Sequence, residues 1–146
     1  MILLVCGSRT YGMRRIMSRL QERNMRQVIE KLNPETIIHG GSRGADELAH
    51  CIADHLGIHV QVFEADWEKY GRSAGPIRNK KMLKLGRPDR VVAFFDGKRT
   101  KGTMNMIKLA KAANVDVVEY GLPERQFNDH VCDAVLVNPH TGRIMN

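Results

Sequence analysis

Short apolar runs and longer stretches of helical spacing alternate along this chain, and few folds accommodate that alternation. Residues 2–6 form a continuous apolar run, as expected of a strand buried on both faces. Further strands are predicted over 36–39, 59–63, 90–95 and 115–119. Between them the spacing predicts helices over 13–32, 45–56, 76 to about 85, and 103–113. In the first helix Met13, Met17, Leu20, Val28, Ile29 and Leu32 recur at helical spacing, and Asn33-Pro34 stops it. In the second, Leu48, Ala49, Ile52 and Leu56 share a face, with Gly57 as C-cap. Pro76 suits a first helical turn, and Gly86 is expected to close that helix. Residues 66–75 read as a loop or a short irregular helix. Near the end, 134–137 and 143–145 flank the turn signal Asn138-Pro139-His140-Thr141-Gly142, which predicts a small hairpin. Strands alternating with helices imply βαβ units, an α/β fold and a mostly parallel five-stranded sheet with right-handed crossovers. Without an internal repeat or linker, the expectation is one domain over 1–146, with a core of about 1–120 and a hairpin extension of about 130–146.

With 146 residues and 42% apolar content the chain is long enough to bury a core. No stretch approaches the roughly 20 apolar residues of a membrane span. The opening run lacks a basic n-region and is too short for a signal peptide, so a cytoplasmic protein is expected. Cys6, Cys51 and Cys132 are odd in number and form no CxxC pair, which argues against a disulfide framework. A formal charge of +7 calls for an anionic partner only if the bases cluster. Many fall in amphipathic stretches (Arg14, Arg15, Arg19, Arg23, Arg26 and Lys31; Lys80, Lys81 and Lys84), where a solvated helix face explains them.

In open α/β sheets ligands bind beyond the carboxyl ends of the strands, and the informative motifs fall there. The first strand ends in Gly7, Ser8 and Arg9. The second ends in Gly40, Gly41, Ser42, Arg43 and Gly44, and runs into a helix through Ala45 and Asp46. The fourth ends in Asp96 and Gly97, followed by a basic run to Lys101, Gly102 and Thr103. Glycine permits close backbone approach, and a helix N-terminus offers free N–H groups to phosphate. Arg9 and Arg43 can grip an oxyanion with paired hydrogen bonds. There is no GxxxxGK followed by Ser or Thr, and no GxGxxG after the first strand, so neither a P-loop nor a standard dinucleotide site is expected. Asp66 suits a ribose hydroxyl or a loop cap. Asp96 suits a ligand contact, a base or a turn cap. Trp67 and Tyr70 fit stacking on a base as well as packing under a loop, while Arg78 and Asn79 are candidate ligand contacts. His50 and His55 stand five apart, about 140° around a helix, so they cannot converge on a metal; His39 is read as a structural, hydrogen-bonded residue and no metal is expected.

Taken in order, Gly7-Ser8-Arg9, His39 to Asp46, Ala65-Asp66-Trp67-Glu68, Ala74 to Asn79, and Phe95-Asp96-Gly97 with Gly102-Thr103 resemble the SLOG superfamily. That group contains DNA-processing protein A and the LOG phosphoribohydrolases, and the resemblance is nearest to its YspA/YpsA-related branch. It implies a Rossmann-like three-layer sandwich, a nucleotide-like ligand between the first loop and the Gly102-Thr103 helix, no cofactor, and a homodimer or larger oligomer. LOG enzymes use an arginine and a glutamate in the helix after their glycine motif. Here Met104, Asn105 and Met106 follow Thr103, so that acid is absent. Three readings stay open: a nucleotide-binding sensor or processing module, an N-glycoside hydrolase with Asp96 and Arg78 as catalytic candidates, and a single-strand nucleic-acid binder.

Overall fold

The structure, a computed structural model, describes residues 1–123 and the short strand pair at 137–138 and 143–144. Its elements in chain order are β1 (Ile2–Gly7), α1 (Ser18–Leu32), β2 (Thr36–His39), α2 (Ala45–Leu56) and β3 (His59–Val62). Next come α3 (Trp67–Tyr70), a 3-10 turn (Gly71–Ser73), α4 (Ala74–Gly86), β4 (Arg90–Phe94), α5 (Lys101–Ala112) and β5 (Asp116–Tyr120). The five strands are all parallel, in the order β3-β2-β1-β4-β5. The chain therefore builds outward from β1 to β3, then returns to the other side of β1. The sheet's switch point lies between β1 and β4.

This topology places helices on both faces. Met25 and Ile29 of α1 and Ala49, Ile52 and Ala53 of α2 pack on Leu3, Val5, Ile37, Val92 and Phe94. Met82 of α4 and Met106, Ile107 and Ala110 of α5 pack on Leu4, Cys6, Ile38, Val91, Ala93 and Phe95. The alternation of neighbouring strand residues between the two clusters is the period-2 pleat of a sheet buried on both sides. The α/β three-layer fold is thus the one expected. Among the described residues no helix is long and apolar enough to cross a membrane.

α2 has the bounds its apolar spacing predicts, and Gly57 caps it in the left-handed region with its N–H on Ala53 O. Two expectations need correction. The first helix starts at Ser18, and residues 9–17 form successive turns. Tyr11 holds them there. Its ring is buried against Phe94 at 5.4 Å, its hydroxyl donates to Gln21 O at 3.2 Å, and Gly12 N–H donates to Gln21 Oε1 at 2.6 Å. Met13, Met17 and Leu20, which share the helical spacing, are consequently exposed, as is Ile16, while the helix buries Gln21, Met25 and Ile29. The second correction concerns α4. Gly86 stays helical and lies so close to Ile38 that a Cβ would sit 2.6 Å from its Cδ1. Arg87 instead takes the left-handed cap. At the C-terminal end β6 (Val137–Asn138) and β7 (Arg143–Ile144) pair antiparallel, as a hairpin requires. Residues 134–136, 139–142 and 145 of the expected hairpin lie outside the described residues, as does Cys132.

Candidate functional site

Beyond the ends of β1 and β4 opens a cleft of about 740 Å³. Val5, Cys6, Met82 and Met106 give it an apolar floor. Around it stand six cations, Arg9, Arg14, Arg72, Arg78, Lys98 and Lys101, against one carboxylate, Asp46. Six of the chain's 23 lysines and arginines thus stand at the place where open α/β sheets bind ligands. A smaller recess of about 290 Å³ adjoins it at the end of β2, lined by Arg43 and Glu64 and sharing Arg9, Ser42, Trp67 and Arg78 with the cleft.

The loop leaving β2 is anchored against β1. Gly44 has φ of +78°, and a Cβ there would lie 2.3 Å from Ser8 O and 2.4 Å from Arg9 C, so glycine is required on both counts. Ala45 N–H then donates to Ser8 O at 3.1 Å. Asp46, in the first turn of α2, is buried, and its Oδ2 accepts from Gly40 N–H at 3.1 Å and Ser42 N–H at 3.2 Å. Burial pushes its carboxyl up to about 6; the two N–H bonds and the charges of Arg78 and Arg9 oppose that rise only in part. Arg78 of α4 crosses to this loop and donates through Nη1 to Gly40 O at 2.5 Å, while its Nε donates to Asn79 Oδ1 at 3.0 Å. Burial lowers its affinity for a proton, with the Asp46 charge acting against the shift. Burial, then the Asp46 charge, pushes the Cys6 thiol far up, so it remains a thiol and part of the floor.

The loop leaving β4 is tied differently. Asp96 N–H donates to Ser8 Oγ at 3.0 Å, and Thr103 Oγ1 donates to Gly7 O at 3.0 Å, with Thr100 Oγ1 donating to Thr103 Oγ1 at 3.1 Å. The Asp96 carboxylate accepts from Thr10 Oγ1 at 2.7 Å and from Gln21 Nε2 at 3.0 Å, and pairs with Arg14 Nε at 2.6 Å. Burial would raise its proton affinity, but these three partners together hold it below the usual carboxylate range. Asn79, also buried, ties α4 to α5 through Asn105 Oδ1 at 2.9 Å.

Most residues singled out in the sequence converge here. Gly7, Ser8, Arg9, Ser42 and Asp46 line the cleft, as do Trp67, Arg78, Asn79, Lys101, Gly102 and Thr103. Gly40, Gly41 and Arg43 line the recess. Four lie elsewhere, among them Tyr70, an exposed residue at the end of α3 that lines neither cavity. Gly44 is spent on the contact with β1, and Asp66 caps α3 by accepting from Lys69 N–H at 3.1 Å. Asp96 is turned into the Arg14 cluster and does not line the cleft. Trp67 is half exposed rather than packed under a loop. Sequence reasoning missed Arg14, Arg72 and Lys98 at the rim. The spacing of Arg14 suits a solvated helix face and gives no signal; Lys98 stands in the basic run after β4, which is the available signal.

His39 lies outside the cleft, in a compartment of about 600 Å³ with His50. Its Nδ1 accepts from Gly41 N–H at 2.9 Å, so the proton sits on Nε2 and is shared with His50 Nδ1 at 2.8 Å. Burial, then the His50 and Arg78 charges, lower His39 to about 4. Among the described residues no group of three His, Cys, Asp or Glu side chains could hold a metal ion.

A parallel sheet with helices on both faces and a cationic cleft at its switch point defines a Rossmann-like α/β protein. Comparison with known sequences narrows that class. The family model described as the YspA, cpYpsA-related SLOG family matches residues 1–70, which include the β1 and β2 loops. The Gene 61 protein of Mycobacterium phage D29 is 34% identical over 90 residues, covering 58% of this chain and 70% of that protein. The chain belongs to the YspA, cpYpsA-related SLOG family.

Proposed function

We propose that the cleft binds a nucleotide or nucleotide-derived ligand, with the protein acting as its sensor or as part of its processing. The observation that carries this reading is the ring of six cations over an apolar floor at the switch point. An anion alone would not need the floor, and an apolar ligand would not need the ring. In this assignment the Gly102 and Thr103 turn of α5 and Lys101 receive phosphate, Arg9 bridges cleft and recess, and Trp67 at the rim is placed to stack on a base. The test is thermal-shift titration of wild type and Arg9→Ala with nucleoside mono-, di- and triphosphates. A ligand at 100 times its dissociation constant stabilises the fold by about 2.7 kcal/mol, a shift readily seen at this chain length. A shift with one nucleotide class, lost in Arg9→Ala, supports the reading; no shift with any of them overturns it.

A hydrolytic reading of the same cleft is favoured by one feature, the buried Asp46 carboxyl lining it, which burial pushes up to about 6. Of the Asp46 and Asp96 carboxyls, Asp46 is raised toward the pH at which it can give a proton, whereas Thr10, Gln21 and Arg14 hold Asp96 below the usual carboxylate range. Release of free base from a nucleoside monophosphate, absent in Asp46→Asn, would support it. No release above a heat-killed control would leave binding as the function.

A further inference from the structure

Apart from Arg14 and Arg72, the cations of cleft and recess fall into two groups with a carboxylate between them. At the end of β4, Lys98 and Lys101 stand beside the Thr100 and Thr103 hydroxyls at the start of α5. At the end of β2, Arg9, Arg43 and Arg78 surround the smaller recess, three cations against the one carboxylate of Glu64. β2 and β4 both neighbour β1, so the strand ends from which the Arg43 and Lys101 loops leave are set two strand spacings apart, about 10 Å, while Arg9 follows β1 and Arg78 reaches in from α4. Asp46 lies where cleft and recess join, beside Ser42, which lines both.

Asp46 is also half satisfied. Its Oδ2 takes both backbone N–H groups of the loop. Among the described residues its Oδ1 takes no hydrogen bond, and no ion pair includes it. With the residue only 6% exposed, a bare acceptor there is costly unless a donor arrives from the cleft. A phosphate cannot be that donor, because it would bring like charge against the carboxylate. A hydroxyl can.

Resting on the nucleotide reading above, we infer that the cleft takes a ligand in which a ribose separates two phosphates. One phosphate sits at the start of α5 with Lys101, the other in the recess with Arg43, and a free ribose hydroxyl donates to Asp46 Oδ1. A diphosphate does not fit this pattern, because its two phosphorus atoms share one oxygen and cannot span the gap. A nucleoside 3′,5′-bisphosphate does, and its one remaining hydroxyl is the 2′-OH, which sets ribose apart from deoxyribose. The same phosphate–ribose–phosphate unit occurs in free bisphosphates and in the backbone of single-stranded RNA.

The experiment is calorimetric titration with adenosine 3′,5′-bisphosphate, its 2′-deoxy analogue, AMP and ADP, on wild type, Arg43→Ala and Lys101→Ala. Arg43 and Lys101 are exposed and make no side-chain hydrogen bond or ion pair among the described residues, so both variants should fold. The 3′,5′-bisphosphate is expected to bind about tenfold tighter than AMP or ADP, and about tenfold tighter than its 2′-deoxy analogue. Arg43→Ala should reduce the bisphosphate to the AMP level and leave AMP within about twofold, whereas Lys101→Ala weakens both. If ADP or AMP binds as tightly as the bisphosphate, the inference falls while the nucleotide reading stands. If no nucleotide binds, both fall. A short RNA oligonucleotide then identifies the source. Tighter binding than the bisphosphate, with a steep salt dependence, assigns the unit to RNA; weaker binding assigns it to a free metabolite. Either result requires the unit itself to bind.

Discussion

The loops that leave β2 and β4 carry similar residues, glycines and cations with one aspartate each, yet they hold their carboxyls in opposite states. Asp46 is buried at the start of α2, with one oxygen bound to backbone and the other bare, and its proton affinity rises. Asp96 is gripped by Thr10, Gln21 and Arg14, and its proton affinity falls. Both lie at the mouth of the same sheet. What separates them is which partners the fold delivers: α2 brings Asp46 only dipoles and distant cations, while the turns before α1 bring Asp96 a guanidinium in contact. A carboxylate's place in a motif therefore does not fix its chemistry; its partners do.

The largest test of this comparison is steric. Gly44→Ala pushes a Cβ into the backbone of Ser8 and Arg9 from a residue already at φ +78°. A loss of roughly 3 kcal/mol or outright misfolding is expected in denaturant unfolding. Gly102→Ala, in the first turn of α5 just after the other loop, meets nothing within 4 Å and should be neutral or stabilising by up to about 1 kcal/mol. Equal losses at the two positions would mean the β2 loop is not the rigid one.

The next test is pH. Asp46 is raised when folded, so its contribution to stability is present below its unfolded value and is lost as pH rises through about 6. His39 is lowered, so its contribution is present above about 6.5 and is lost as pH falls toward about 4. In the wild type the two slopes oppose each other between these values. Asp46→Asn should expose the His39 slope, with stability falling as pH drops from 6.5 to 4. His39→Gln should expose the other, with stability rising over the same range by up to about 3 kcal/mol. Parallel curves for the two variants would sink the assignment of opposite shifts.

The smallest effect is expected at Arg14. Its partner Asp96 is largely covered, but Arg14 itself is 62% exposed, so solvent and salt discount the pair. Arg14→Ala should cost roughly 1 kcal/mol or less, shrinking at high salt. A larger, salt-independent loss would show that the pair anchors the turns before α1.

Much of the fold was legible because period and punctuation suffice for it. The Leu48, Ala49, Ile52 and Leu56 spacing with Gly57 at its end fixed α2 to the residue. The start of α1 was not legible, since Met13, Met17 and Leu20 keep helical spacing although Tyr11 and Gln21 pin that stretch in turns. Nor could the α4 cap be read, because Gly86 is needed for close packing on Ile38 rather than for its left-handed freedom. The loops of the site were visible as motifs. Their wiring was not: Arg14 meets Asp96 and Asn79 meets Asn105 only after the sheet has brought distant segments together.

Trp67 is the only tryptophan in the chain, and its ring lies over Gly75 at the rim common to cleft and recess. The protein thus carries its own optical gauge. Indole emission depends on the water around it, and this indole is half in solvent beside both compartments. A ligand that dries the rim would shift the emission to shorter wavelength whichever compartment it fills, so occupancy could be followed in unlabelled protein with millisecond mixing.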